Sequence, residues 1–161
     1  MCTDFSDELV IKLDGDLTGA PFTRKVKDWG DTFNIEFDLI VNKAPVNGCS
    51  TIVKLEHNDY VDNKHYPAIN LCPNPSLAFE FYQTNKSHTV SRQHDIELNV
   101  EYHVEFKQYR PEGSNKLRRF AIIGNESIWD SEVLEPFVRV TEIDVRNLKQ
   151  YADVSNLRIK K

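Results

Sequence analysis

The chain is poor in the features that most often announce a function, and each gap removes a class. No apolar run among its 161 residues approaches the ~18 needed to cross a bilayer as a helix, so membrane insertion is not expected. There are three cysteines and no Cys-x-x-Cys pair. The five histidines, His57, His65, His88, His94 and His103, stand apart rather than at ligand spacing, which speaks against zinc. No glycine-rich phosphate loop, dinucleotide fingerprint or Ser/His/Asp spacing occurs. Positive charge is short as well: the formal net charge is −5, so no general field gathers phosphates, and nucleic acid is not an expected partner. The first ten residues, MCTDFSDELV, lack the basic start and apolar centre of a signal peptide. Helical periodicity is missing too, with residues 145–151, VRNLKQY, the one candidate for a helical turn.

What the chain has is alternation. In residues 31–42, DTFNIEFDLIVN, the side chains of Phe33, Ile35, Phe37, Leu39 and Val41 fall on one face of a period-2 strand, and Asn34, Glu36 and Asp38 fall on the other. Residues 101–109 repeat the design with Tyr102, Val104 and Phe106 inward. Long strands wet on one side imply two antiparallel layers with the core between them. Shorter runs of the same kind, broken by turn compositions such as Asp14-Gly15-Asp16, Pro73-Asn74-Pro75 and Arg110-Pro111-Glu112-Gly113, bring the expectation to a dozen strands. The fold class is therefore all-β, a two-layer antiparallel β-sandwich. It forms a single domain over 1–161, since no linker, repeat or low-complexity tract divides the chain.

Four local readings accompany that frame. Leu117, Phe120, Ile122 and Ile123 belong to the strand returning from the Pro111 turn, and Lys116, Arg118 and Arg119 read as solvated charge beside it. Trp29 reads as a rim or core residue. Cys49 and Cys72 end segments that can be sheet neighbours, so they are either a disulfide or two buried thiols, with Cys2 apart in the N-terminal tail. Asn85-Lys86-Ser87 and Asn125-Glu126-Ser127 are N-glycosylation sequons in predicted turns, which leans towards secretion; a leaderless cytosolic protein stays open.

The candidate site lies in residues 56–66, EHNDYVDNKHY, a polar loop with little to bury. Asn58, Asp59, Asp62 and Asn63 can supply several of the six or more oxygens that calcium wants, and calcium is the one cofactor the chain suggests. The other reading is a solvated loop that holds no cofactor. Tyr60, His65 and Tyr66 are the neighbours able to stack on a sugar or donate a hydrogen bond.

The block from Tyr102 to Ser127 resembles the laminin-G-like and concanavalin A-like jelly rolls. The likeness runs from Tyr102, Val104 and Phe106 through the turn at 111–115 to Phe120-Ala121-Ile122-Ile123-Gly124-Asn125, and the phenylalanine-rich run at 33–41 is similar to a strand of such domains. The resemblance implies a jelly roll and a lectin-like, non-catalytic, extracellular recognition module that binds a glycan or matrix glycoprotein. Relatives of the laminin-G-like and pentraxin-like kind use a calcium at the sandwich rim. Galectins are jelly rolls of similar length, but their His-x-Asn-x-Arg element is missing and only Trp29-Gly30-Asp31 echoes their tryptophan motif. Laminarinase-like hydrolases of this fold carry Glu-x-Asp-x-Glu on one strand; Glu142-Ile143-Asp144-Val145-Arg146 begins that pattern and lacks its last carboxylate, which leaves Glu142 and Asp144 as solvent-facing positions. The alternative to a lectin is a protein–protein, adhesion or self-assembly module, with a homo-oligomer formed through a sheet face or edge.

Overall fold

The computed structural model describes residues 8–11, 22–26, 29–56, 65–83, 89–134, 140–146 and 148–160. Twelve strands run through them: β1 Glu8–Ile11, β2 Phe22–Lys25, β3 Phe33–Val41, β4 Ser50–Glu56, β5 His65–Cys72, β6 Ser76–Gln83, β7 Thr89–Asp95, β8 Glu101–Tyr109, β9 Arg118–Ile123, β10 Glu126–Glu132, β11 Glu142–Val145 and β12 Ala152–Lys160. They form two six-stranded sheets, ordered β1-β12-β3-β8-β9-β10 and β2-β11-β4-β5-β6-β7. Neighbouring strands are antiparallel, as alternation with one wet face requires. Among the described residues there is no helix. The helical-turn candidate is a single turn, in which the Tyr151 and Ala152 N–H groups donate to Leu148 O at 2.7 and 2.8 Å, leading into β12.

β3 lies inside the first sheet between β12 and β8. Its five inward-facing apolar side chains are all at 2 % exposure or less, and their cross-strand partners continue the inward face: Ile35 opposite Phe106, Phe37 opposite Val104. The second sheet answers with Val53, Leu55, Ile69, Leu71, Phe79 and Phe81. Rings interlock where the layers meet: Phe106 stands edge-on to Phe33, Phe79 and Phe81 at centroid separations of 5.3, 5.1 and 5.4 Å. Each such pair adds about 0.5–1.5 kcal/mol beyond the area it buries. Trp29 belongs to this core at 3 % exposure, its ring N–H donating to Thr32 O at 3.0 Å.

Two sequence expectations need correction. Arg119 is not solvated: it lies opposite Gln108 in the β8–β9 register and is 1 % exposed. Its guanidinium carbon stands 3.3 Å from the centroid of Phe81 and 5.0 Å from that of Trp129, and Nη2 donates to Gln108 Oε1 at 3.1 Å. Arginine tolerates this because its planar, weakly hydrated cation stacks on aromatic faces. Phe120 and Ile122 consequently lie on the opposite face of β9, half-buried. Asp144 is the second case: it is directed away from the core, as alternation requires, yet it is only 4 % exposed.

Cys49 and Cys72 are joined in a disulfide. Ser50 pairs with Leu71, so the bridge continues the β4–β5 register by one step. Cys2 lies outside the described residues.

Candidate functional site

On the face of the second sheet opposite the core, side chains from five adjacent strands meet in register. One row runs Asp144 on β11, Lys54 on β4, Ala68 on β5, Glu80 on β6 and Ser91 on β7. The next runs Thr51, Asn70, Ala78 and Gln93, and Cys72, Ser76 and Asp95 follow. These positions alternate with Ile69, Leu71, Phe79 and Phe81, whose insertion into the core forces their neighbours outward.

The middle of this face is close-packed. Ala68, Asn70, Cys72, Ser76 and Ala78 are all at 3 % exposure or less. Its polar groups are held by short bonds: Asn70 Nδ2 donates to Glu80 Oε2 at 2.6 Å, and Gln93 Nε2 donates to Ser76 Oγ at 2.6 Å. Towards β11 the groups are charged. Asp144 Oδ2 accepts from Arg146 Nε and Nη2 at 3.2 and 2.9 Å, and Lys54 Nζ lies 4.0 Å from the same oxygen and 3.4 Å from Glu56 Oε2. Tyr66, half-buried, has its phenol pushed above the ordinary value by burial and then by the nearby Glu56 carboxylate, so it stays a hydrogen-bond donor. The face thus offers an amide, carboxylates, a phenol and two cations side by side, with small residues between them.

Of the residues expected to form a site, Tyr66 belongs to this surface. His65 opens β5 and only its backbone is described. Asn58, Asp59, Tyr60, Asp62 and Asn63 lie outside the described residues, as does Asn85. Asn125 follows Gly124 in the β9–β10 turn and is exposed, as a glycosylation acceptor must be; Gly124 has φ +61°, a backbone state that suits glycine. Sequence reasoning passed over Asn70 and Glu80. The signal was present: each is the single polar residue of an otherwise apolar stretch, Ala68-Ile69-Asn70-Leu71 and Ala78-Phe79-Glu80-Phe81.

No protein-family profile matches the chain. No curated protein sequence matches it either. Solved structures do match. A galectin of Caenorhabditis elegans, LEC-6, superposes with a TM-score of 0.59 at 13 % identity, covering 99 % of this chain and 100 % of the galectin. The carbohydrate binding module CBM66 from Bacillus subtilis gives 0.50 at 13 % identity, covering 98 % of each chain. A native glycosidic hydrolase gives 0.51 at 8 % identity, covering 86 % of this chain and 68 % of the hydrolase. At such identities the likeness is one of architecture. Two antiparallel six-stranded sheets packed on a shared core, superposable on a galectin over nearly the whole chain, make this the jelly-roll sandwich of the concanavalin A-like fold.

Proposed function

We propose that the protein is a non-catalytic, lectin-like glycan-binding module that acts outside the cell, taking a sugar or the glycan of a matrix glycoprotein on the outer face of its second sheet, around Asn70, Glu80 and Tyr66. The observation that carries this reading is the Asn70–Glu80 bond at 2.6 Å beside Ala68 and Ala78. Sugar hydroxyls donate and accept at once, and a surface with an amide, a carboxylate and a phenol fixed around small residues suits both roles. The galectin and carbohydrate-binding jelly rolls lend support at the level of fold.

Absence of catalysis is supported by where the acids are engaged: Asp144 with Arg146 and Lys54, Glu80 with Asn70. The extracellular reading is supported by the Cys49–Cys72 disulfide and the exposed sequon at Asn125. The calcium expectation for Asn58, Asp59, Asp62 and Asn63 belongs to the same proposal, since those residues connect β4 to β5 and so adjoin Tyr66 in sequence. A self-assembly or adhesion module is the second reading. Val46, Leu98 and Val100 favour it, exposed apolar side chains in segments linked by the Asn99 N–H bond to Val41 O at 2.8 Å.

The test is a glycan array followed by calorimetry on the sugar it selects, with and without millimolar calcium. Asn70→Ala and Glu80→Gln are each expected to weaken binding at least about tenfold, roughly the worth of one well-placed hydrogen bond, with an unchanged circular dichroism spectrum. A dimer that ignores every glycan would favour assembly, and sugar binding that survives both substitutions would remove this face as the site.

A further inference from the structure

We propose that the opposite surface, the outer face of the first sheet, carries a divalent transition-metal site of the zinc type built from His103, Glu36 and Glu105. Each offers one ligand atom, and these atoms lie within 4.8 Å of one another. Local spacing hides the group, because Glu36 comes from β3 and the other two from β8; the register brings them together by setting Glu36 directly opposite Glu105 and Asp38 directly opposite His103. Two carboxylates opposed across a strand pair repel, and a cation held between them removes the cost.

His103 supplies what a merely acidic patch lacks. Its Nδ1 is 2.8 Å from Asp38 Oδ1, and its Nε2 is directed at Glu36, 3.6 Å from Oε2. A carboxylate on one ring nitrogen is how proteins fix the tautomer and orientation of a ligating histidine, with the proton on Nδ1 and the Nε2 lone pair left for the metal. Asp38 is itself steadied by Asn156, whose Nδ2 donates to Oδ2 at 2.8 Å. One imidazole nitrogen and two carboxylate oxygens form an open zinc set, with a fourth position for water; calcium and magnesium prefer all-oxygen shells. The His103 side chain is 53 % exposed, so an ion can reach it.

Two cations compete for the carboxylates. Lys107 Nζ lies 3.6 Å from Glu105 Oε1, and Arg158 Nη1 lies 4.0 Å from Glu36 Oε1. Arg158 and His103 thus approach different oxygens of Glu36, and both competing cations are on long side chains able to swing into water.

Zinc alone is the probe, titrated by calorimetry into the full chain at about pH 7.5. One zinc per chain is expected. His103→Gln, Glu36→Gln and Glu105→Gln should each weaken it at least about tenfold, and Asp38→Asn, which touches only the orienting carboxylate, by about tenfold. Ring-nitrogen NMR of the parent gives an answer that needs no variant: zinc should shift His103 Nε2 selectively. Absence of heat, a selective shift at another histidine, or zinc affinity unchanged in His103→Gln would each overturn the proposal.

Discussion

The two outer faces of this sandwich are made by strands of the same alternating kind and finished in opposite ways. On the first sheet, polar and charged groups meet in partly or largely exposed pairs: His103 with Asp38, Lys107 with Glu105, Arg118 with Asp130, Lys116 with Glu132. On the second, the central positions Ala68, Asn70, Cys72, Ser76 and Ala78 are buried, and their polar groups are tied by 2.6 Å bonds beside a disulfide. Exposed pairs hold long side chains loosely and contribute little individually. Close-packed amides and carboxylates keep their geometry, and recognition needs donors and acceptors that are already in place. The second face thus presents donors and acceptors fixed in place, whereas the acids and imidazole of the first stand partly open to solvent.

The largest expected effect concerns the core that supports both faces. Phe37 has no exposed surface, and Phe37→Ala should cost about 3–5 kcal/mol in urea denaturation. A loss below about 1 kcal/mol would mean that β3 presents the other face inward. Next comes the contrast itself. Cys49→Ser with Cys72→Ser removes a bond that closes a sequence separation of 23, expected to cost about 3 kcal/mol on the loop-entropy account. Arg118→Ala on the first face should show no measurable loss in the same assay. Equal losses would erase the distinction between a tied face and a loose one.

How much of this was readable beforehand follows from the strength of alternation. β3 and β8 were legible because apolar residues dominate one face of each and polar residues the other, with Ile40 and Gln108 as exceptions, so period and direction agree. β9 was not: in Arg-Arg-Phe-Ala-Ile-Ile both faces carry one arginine and apolar residues, and hydropathy favours burying Phe120 with Ile122. Pairing with β8 decides otherwise, since Val104 and Phe106 set Ile123 and Ala121 inward and carry Arg119 with them. The cost of desolvating a cation argues against that from sequence alone; the Phe81 and Trp129 rings and Gln108 help to make it tolerable. The site residues divide in the same way. Tyr66 was singled out as a candidate because it ends a polar loop, but Asn70 and Glu80 become a pair only once β5 lies beside β6, and His103 meets Glu36 only through the β3–β8 register.

A last, small effect tests how far an exposed pair on the loose side of the molecule matters at all. Asp31, in the turn before β3, takes a two-pronged contact from Arg110 at the end of β8: Nη1 donates to Oδ1 at 2.9 Å and Nη2 to Oδ2 at 2.7 Å. The guanidinium hydrogen bonds hold the carboxyl below its ordinary value near 3.8, against a partial opposing push from burial. A carboxyl that is more acidic when folded binds fewer protons in the native state than in the unfolded one. Its stabilisation is thus full above the unfolded value and fades as pH falls through the lower folded value. With the two side chains 45 % and 42 % exposed, solvent and salt screen the pair, and Asp31→Asn should cost under about 1 kcal/mol at neutral pH. Asn keeps the main-chain carbonyl that accepts from Gln108 Nε2 at 2.8 Å, so the turn itself stays anchored. Urea denaturation of parent and variant at neutral pH, and again well below pH 3.8, separates charge from shape: the gap should close in acid and shrink in high salt. A gap that persists in acid would mean that Asp31 acts through the geometry of the turn, and that even the loose face is held by packing more than by charge.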